Sequence, residues 1–422
     1  MLRAVRRGAF ADRAFERAAP SLGPVDRRLA QEIAYGTLRL RARLDFVLDI
    51  LVKGGVQRLE PEVLDILRLA AYQLLELDRL PAYAVVSDAV EASKQEKGQG
   101  AASLTNAVLR RLSRESYSAF EFPSTAEDPR GYLSTWGSHP AWLLERWLSC
   151  ESLEDVRELV EYNNRRPSVY LSVVTDRDGA LERLRKADVE ARPAEWVTSS
   201  VWVDSSDVQK GLEAVDAVIQ DPAAAAVVDF MALDPGSDVV DLCAAPGGKA
   251  ALLAARGHEV WAFDIAAGRL ARLLENRHRL GLERLHVVRG DATRPPVANA
   301  GTVLIDVPCS GTGTLARHPD SRWRLQSDDL AKLVELQRRV VDAAADIVMP
   351  GGLLVYATCS LEPEENQGQV EAFLTRRSDY VLEPPPTSAV AADLTAPDGT
   401  LRVLPQRHGL DGAYAARLRR AA

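Results

Sequence analysis

The chain has 422 residues, more than one ordinary domain holds, with 46% hydrophobic and 27% charged side chains. That balance excludes a disordered or collagen-like chain, and no apolar run approaches the roughly 20 residues that a membrane span needs. Net charge is −8, so the whole chain does not advertise affinity for nucleic acid. Residues 1–60 differ, with 12 Lys+Arg against 7 Asp+Glu. Arg3, Arg6, Arg7, Arg13, Arg17, Arg27, Arg28, Arg39, Arg41 and Arg43 dominate that excess. It reads either as a solvated helical face or as a footprint for phosphates. Met1–Arg7 is basic but no apolar stretch follows it, which reads against a secretory signal. Only four cysteines occur, Cys150, Cys243, Cys309 and Cys359, without a CxxC pair. A disulfide framework is excluded, the usual zinc pairs are missing, and a reducing cytoplasm is the expected setting.

Residues 1–125 read as an all-helical bundle. Leu64, Ile66, Leu67, Leu69, Ala70, Ala71, Leu74 and Leu75 recur at helical spacing. Ala84, Val85, Val86, Ala89 and Val90 continue it, then Leu104, Ala107, Val108 and Leu109. Pro61, Pro81 and the Gly98–Gly100 stretch punctuate the pattern. From Ser113 to about Gly137 the chain is polar and reads as a linker. A helix is expected from Ala141 into Tyr162, a strand over Ser168–Val174, a helix over Gly179–Lys186 and strand character over Trp196–Val203. These make residues 126–220 a linker helix and a small α+β segment.

Residues 221–422 alternate strand and helix. Asp221-Pro222 looks like an N-cap followed by proline at the first helical position. Strands are expected at Val239–Leu242, Glu259–Asp264, Leu285–Val288, Thr302–Val307 and Leu353–Thr358. Helices are expected at Lys249–Arg256, Ala267–Arg279 and Asp328–Val348. The alternation predicts an open, mostly parallel sheet covered on both faces, with ligands at the carboxyl ends of its strands.

Three stretches at such ends carry chemistry. In Asp241 to Lys249 a strand ends, Ala-Ala-Pro-Gly-Gly turns, and a helix begins. Glycines there let the backbone approach a ligand closely. Asp264 ends the next strand 23 residues on, where an acid can hold ribose hydroxyls, and Asp291 follows the third. A lone glycine turn would be structural; three acids at successive strand ends favour a nucleoside-type cofactor. The G-x-G-x-x-G spacing of a dinucleotide site is missing. The other two stretches end in cysteine, at Asp306-Val307-Pro308-Cys309 and at Ala357-Thr358-Cys359. Alone, either reads as a small buried hydrophobe. Together they can face one pocket, where a thiolate suits addition to an electron-poor ring carbon. Cys150 has no such context and reads as structural.

Cys243-Ala244-Ala245-Pro246-Gly247-Gly248-Lys249, Asp306 to Thr314, and Ala357 to Asn366 resemble the RNA cytosine-C5 methyltransferases. Arg317-His318-Pro319-Asp320, Arg322-Trp323 and Asp411-Gly412-Ala413-Tyr414 also fit that family. Tyr35 to Arg39, Asn106 to Arg111 and Ser138 to Leu143 resemble the NusB-like domain of the bacterial 16S rRNA methyltransferase B type. The resemblance implies a multidomain chain with an all-α NusB-like N-terminal bundle, a small α+β segment and a C-terminal α/β Rossmann-like domain. That domain would be an S-adenosylmethionine-dependent methyltransferase, acting as a monomer on 16S rRNA or an assembly intermediate, without a metal. It implies Cys359 as the nucleophile at carbon-6, Cys309 as the cysteine that assists release, and Asp306 at the base edge near nitrogen-3. It places the cofactor on residues 243–249 with Asp264, Asp291 and Asp306. Val307, Ala250 and Ala413-Tyr414 depart from the residues common in the family, and none removes a reacting group.

Overall fold

A computed structural model describes residues Met1–Ala422. The chain forms two compact units, Met1–Arg166 with Leu315–Ser327, and Pro167–Thr314 with Asp328–Ala422.

The first unit is all-helical. Its helices are α1 (Leu2–Arg6), α2 (Ala11–Ala18), α3 (Pro24–Arg39), α4 (Arg41–Leu51), α5 (Pro61–Glu76), α6 (Ala82–Lys97) and α7 (Gln99–Leu112). Proline opens α3 and α5, where its fixed φ suits the first turn and its missing N–H has no intrahelical partner to lose. Leu44, Leu48, Leu67, Leu109 and Leu112 bring the apolar stripes of α4, α5 and α7 into one core. The polar stretch after α7 does not hang free as a linker. It carries α8 (Pro129–Thr135), capped by Asp128, whose carboxylate accepts the Gly131 N–H. Phe122 stacks on Phe46 with ring centres 4.4 Å apart, and Trp136 packs edge-on against Tyr117 and Phe122. These few aromatic rings supply the buried area that the surrounding polar composition hides. The helix expected from Ala141 into Tyr162 is two, α9 (Ala141–Cys150) and α10 (Leu153–Asn164). Ser152 between them accepts the Asp155 N–H as an N-cap and so starts a new helix.

The second unit begins with a four-stranded antiparallel sheet, order β2-β3-β1-β4. It comprises β1 (Val169–Val173), α11 (Arg177–Lys186), β2 (Ala191–Pro193), β3 (Ser200–Val203), α12 (Val208–Ala214) and β4 (Ala217–Ile219). Then come α13 (Pro222–Met231), β5 (Asp238–Asp241), α14 (Gly248–Ala255), β6 (Glu259–Asp264), α15 (Ala267–Arg279), β7 (Leu285–Arg289) and β8 (Ala300–Asp306). After β8 the chain leaves for the helical unit, where it forms the short α16 (Ser321–Arg324). It returns as α17 (Ser327–Ile347), β9 (Val348–Thr358), α18 (Gln367–Arg376), β10 (Tyr380–Leu382), β11 (Leu401–Val403) and β12 (Ala413–Arg420).

The large sheet runs β10-β12-β9-β8-β5-β6-β7, with β11 paired to β12. Strands β5 to β9 are parallel, as the alternation predicts. The antiparallel strands β10 to β12 were not foreseen, and they make the sheet mixed. Alternate residues of β8 and β9 feed two cores, Leu304, Leu353 and Val355 on one face, Val303, Ile305, Leu354 and Tyr356 on the other. That two-sided burial fixes the register that brings the strand ends level.

Candidate active site

Strands β8 and β9 are neighbours in parallel register, with Asp306 beside Ala357. Their exits therefore leave the sheet together, and Cys309 and Cys359 meet with their sulfurs 3.3 Å apart. The two exit loops are laced to each other. Gly313 N–H donates to the Cys359 carbonyl at 3.0 Å, Gly412 N–H donates to the Gly313 carbonyl at 2.7 Å, and Leu361 N–H donates to Thr312 Oγ1 at 2.9 Å. A Cβ on Gly313 would lie 2.6 Å from Gly412 Cα and 2.7 Å from the Cys359 carbonyl, so only glycine fits this approach. The Cys309 thiol is pushed well up by its hydrogen bond to Cys359, by burial, and by the charges of Cys359, Glu365 and Asp306. It holds its proton.

Lys249 Nζ donates to Asp306 Oδ2 at 2.6 Å. Burial alone would weaken the ammonium, but Asp306, then Cys359 and Asp241, more than offset it and the Lys249 pKa rises. The Lys249 ammonium and Asp306 thus form a hydrogen-bonded couple beside the sulfurs. Asp241, one of the three strand-end acids, belongs to the same electrostatic cluster. Burial, then the Asp306 charge, pushes its pKa up to about 7. Only its position at a strand end signalled it; its burial had no sequence signal.

The glycine turn follows β5. Cys243 N–H donates to Asp241 Oδ1 at 3.2 Å, Ala244 N–H to the Phe263 carbonyl at 2.8 Å, and Ala245 N–H to Asp264 Oδ2 at 3.3 Å. Pro246 is exposed at the tip. Gly247 has φ +106°, and a Cβ there would stand 2.1 Å from Leu273 Cδ1. Gly248 opens α14, whose first N–H groups have no carbonyl inside the helix. The buried Gln220 amide oxygen beside Gly248 has no hydrogen-bond partner. Amides and an unpartnered polar atom lining a glycine cradle fit a nucleoside-type ligand. Asp264, at the end of β6, also accepts from Ala266 N–H at 2.7 Å and from Arg269 at 3.2 Å, so part of its carboxylate holds the loop. Asp291 is exposed and held below the usual carboxylate range by the Thr293 N–H and hydroxyl. Cys243 is half-buried beside Asp241, its thiol pushed well up by desolvation and that neighbour. Cys150 lies exposed in the helical unit. No three His, Cys, Asp or Glu side chains are grouped as metal ligands.

Family models match three parts of the chain. Residues 228–419 match "16S rRNA methyltransferase RsmB/F", residues 1–114 match the NusB family, and residues 139–209 match the ferredoxin-like domain of RsmF/B-like methyltransferases. A probable ribosomal RNA small subunit methyltransferase B of Synechocystis is 32% identical over 99% of this chain and 96% of that protein. Ribosomal RNA small subunit methyltransferase B of Erwinia tasmaniensis is 34% identical over 98% of this chain and 95% of that protein. The solved structure of PH0851 superposes with a TM-score of 0.77 and 25% identity, covering 96% of this chain and 92% of that one.

Proposed function

Because this chain belongs to the 16S rRNA methyltransferase RsmB/F family, we propose that it methylates carbon-5 of one cytosine in small-subunit rRNA, with Cys359 as covalent catalyst. The observation that carries this reading is the pair of sulfurs 3.3 Å apart, beside the 2.6 Å Lys249–Asp306 couple. Residues Cys243 to Lys249, with Asp264, Asp291 and Asp306, would hold the methyl donor. S-adenosylmethionine, when bound, supplies the methyl group as an electrophile.

Cys359 adds to carbon-6, which breaks the 5,6 double bond and moves its electron pair toward carbon-5. Asp306 faces the base edge at nitrogen-3, and a proton shared between its carboxyl and that nitrogen takes up the charge that the shift pushes into the ring. Lys249 fixes Asp306 in orientation. Once carbon-5 carries the methyl, its proton passes to water, the double bond reforms and the carbon–sulfur bond breaks. Cys309 assists that release. The target base must leave its stack to reach the sulfurs, which is cheapest in a loop or single strand.

The test uses unmodified small-subunit rRNA, S-adenosylmethionine and nucleoside mass spectrometry. Wild-type protein yields 5-methylcytidine at one position. Cys359→Ala abolishes it while donor binding persists, and Cys309→Ala accumulates a covalent RNA adduct. Activity retained in Cys359→Ala and lost in Cys309→Ala would instead make Cys309 the nucleophile.

A further inference from the structure

Glu365 is a fully buried carboxylate without an ion-pair partner. Burying a carboxyl group is costly unless it is hydrogen-bonded, and here hydrogen bonds alone meet that cost. Ser310 N–H donates to its two oxygens at 2.9 and 3.2 Å, and the Ser310 hydroxyl donates as well. Gln337 Nε2, from α17, donates to Glu365 Oε1 at 2.8 Å and to the Pro308 carbonyl at 3.0 Å. Every one of these partners donates, so both carboxyl oxygens of Glu365 are used as acceptors. Pro308 and Ser310 flank Cys309. Both peptide groups around that cysteine are therefore tied to the Glu365–Gln337 couple.

The same residue grips the other loop. The Glu365 carbonyl accepts from the Tyr356 hydroxyl at 2.6 Å, and Tyr356 lies in β9 three residues before Cys359. Ser310 Oγ also stands 3.0 Å from Ser360 Oγ, next to Cys359. One residue thus ties the two loops, its side chain holding the peptides around Cys309 and its backbone carbonyl holding Tyr356 of β9, and it helps push the Cys309 thiol up.

We infer that Glu365 is a positioning residue for release: it holds Cys309 as a neutral thiol aimed at the Cys359 sulfur. The inference rests on the covalent-cysteine reading above. In the release step the carbon-6–sulfur bond breaks and its electron pair returns to Cys359. The Cys309 S–H, 3.3 Å away, donates a hydrogen bond to that forming thiolate and makes it a better leaving group. The carbon-5 proton goes to water, as before. Without Glu365 the loop loses its anchor and the thiol its aim.

Glu365→Gln puts an amide donor against the Ser310 donors while keeping shape. Expected is a fall in kcat of about tenfold to a hundredfold, with KM for RNA changed less than about twofold, because ground-state binding is untouched. A denaturation-resistant protein–RNA adduct accumulates in the same variant. In a Cys309→Ala background, Glu365→Gln adds no further loss, because it acts through that thiol. Losses that multiply in the double variant, or a slowed reaction without adduct, overturn the inference. Ser310→Ala, which removes one donor and keeps the backbone one, gives a smaller change of the same sign and serves if Glu365→Gln folds poorly. If wild-type protein makes no 5-methylcytidine, or Cys359→Ala still forms adduct, it is the covalent-cysteine reading that has failed.

Discussion

Asp241 shows how a single buried acid ties stability to pH. Its carboxyl is pushed up to about 7 by burial and by Asp306, against roughly 3.9 in an unfolded chain. Between those values the folded protein keeps a proton that the unfolded chain has lost. Stability is therefore highest below about pH 4 for this group and falls as pH rises toward about 7. Asp241→Asn keeps an oxygen for the Cys243 N–H and removes the titration. Thermal midpoints measured from about pH 5 to pH 8 should fall less steeply in the variant than in wild type; equal slopes would sink the assignment. Cys309, Cys359 and the glycine turn were legible because they sit at strand ends, where backbone geometry exposes side chains to a ligand. Asp241 was visible only as a strand end, and Glu365 only as a letter in a motif. Their roles depend on burial and on partners far along the chain, Asp306 and Ser310, which no local pattern reveals.

Among the elements, α16 is the one whose position departs furthest from its place in the chain. Its motif lies between two strands of the sheet, yet Leu315–Ser327 belongs to the helical unit. Arg322 explains the anchoring. Its guanidinium is fully buried and donates to the carbonyls of Arg39, Ser138, Asn163 and Leu315 and to Asn164 Oδ1. Arg39 ends α3 and Asn163 and Asn164 end α10, so one cation satisfies carbonyls that helix ends leave open. Trp323 Nε1 adds a bond to the Leu38 carbonyl at 2.6 Å. Arg322→Met keeps length and removes every donor. Each buried carbonyl left open costs about 1–3 kcal/mol, partly offset by the guanidinium's own burial cost, so the loss should be on the order of 3 kcal/mol. Urea unfolding of the full chain reads it; a change under about 1 kcal/mol would mean that water replaces the guanidinium. The parallel strands were legible from apolar runs bounded by glycine turns. β12 was not, because Arg417 and Arg419 interrupt its pattern. Both arginines pair with Glu383, whose carboxyl they hold down to about 2, and Arg417 also donates to the Met231 carbonyl, so a charged strand lies in a buried place.

For the whole molecule, a net charge of −8 repels RNA at long range, and binding must come from local basic surface. The structure sorts the N-terminal arginines. Arg3 and Arg6 pair with Glu96 and Glu62, Arg39 is buried, and Arg43 lies 4.0 Å over Trp136. Arg7, Arg13, Arg17 and Arg28 are exposed. These four are the ones available to phosphates, whereas the paired ones serve the fold. Each phosphate contact displaces counterions and contributes roughly 0.7 to 0.9 to the slope of log affinity against log salt. Replacing all four by Gln should therefore flatten that slope by about 3, weaken rRNA binding at low salt, and leave kcat at saturating RNA unchanged. Fluorescence anisotropy with labelled rRNA fragments across a salt series reads the slope. An unchanged slope would assign these arginines to a solvated helical face and move the search for the phosphate footprint to other basic surfaces of the chain.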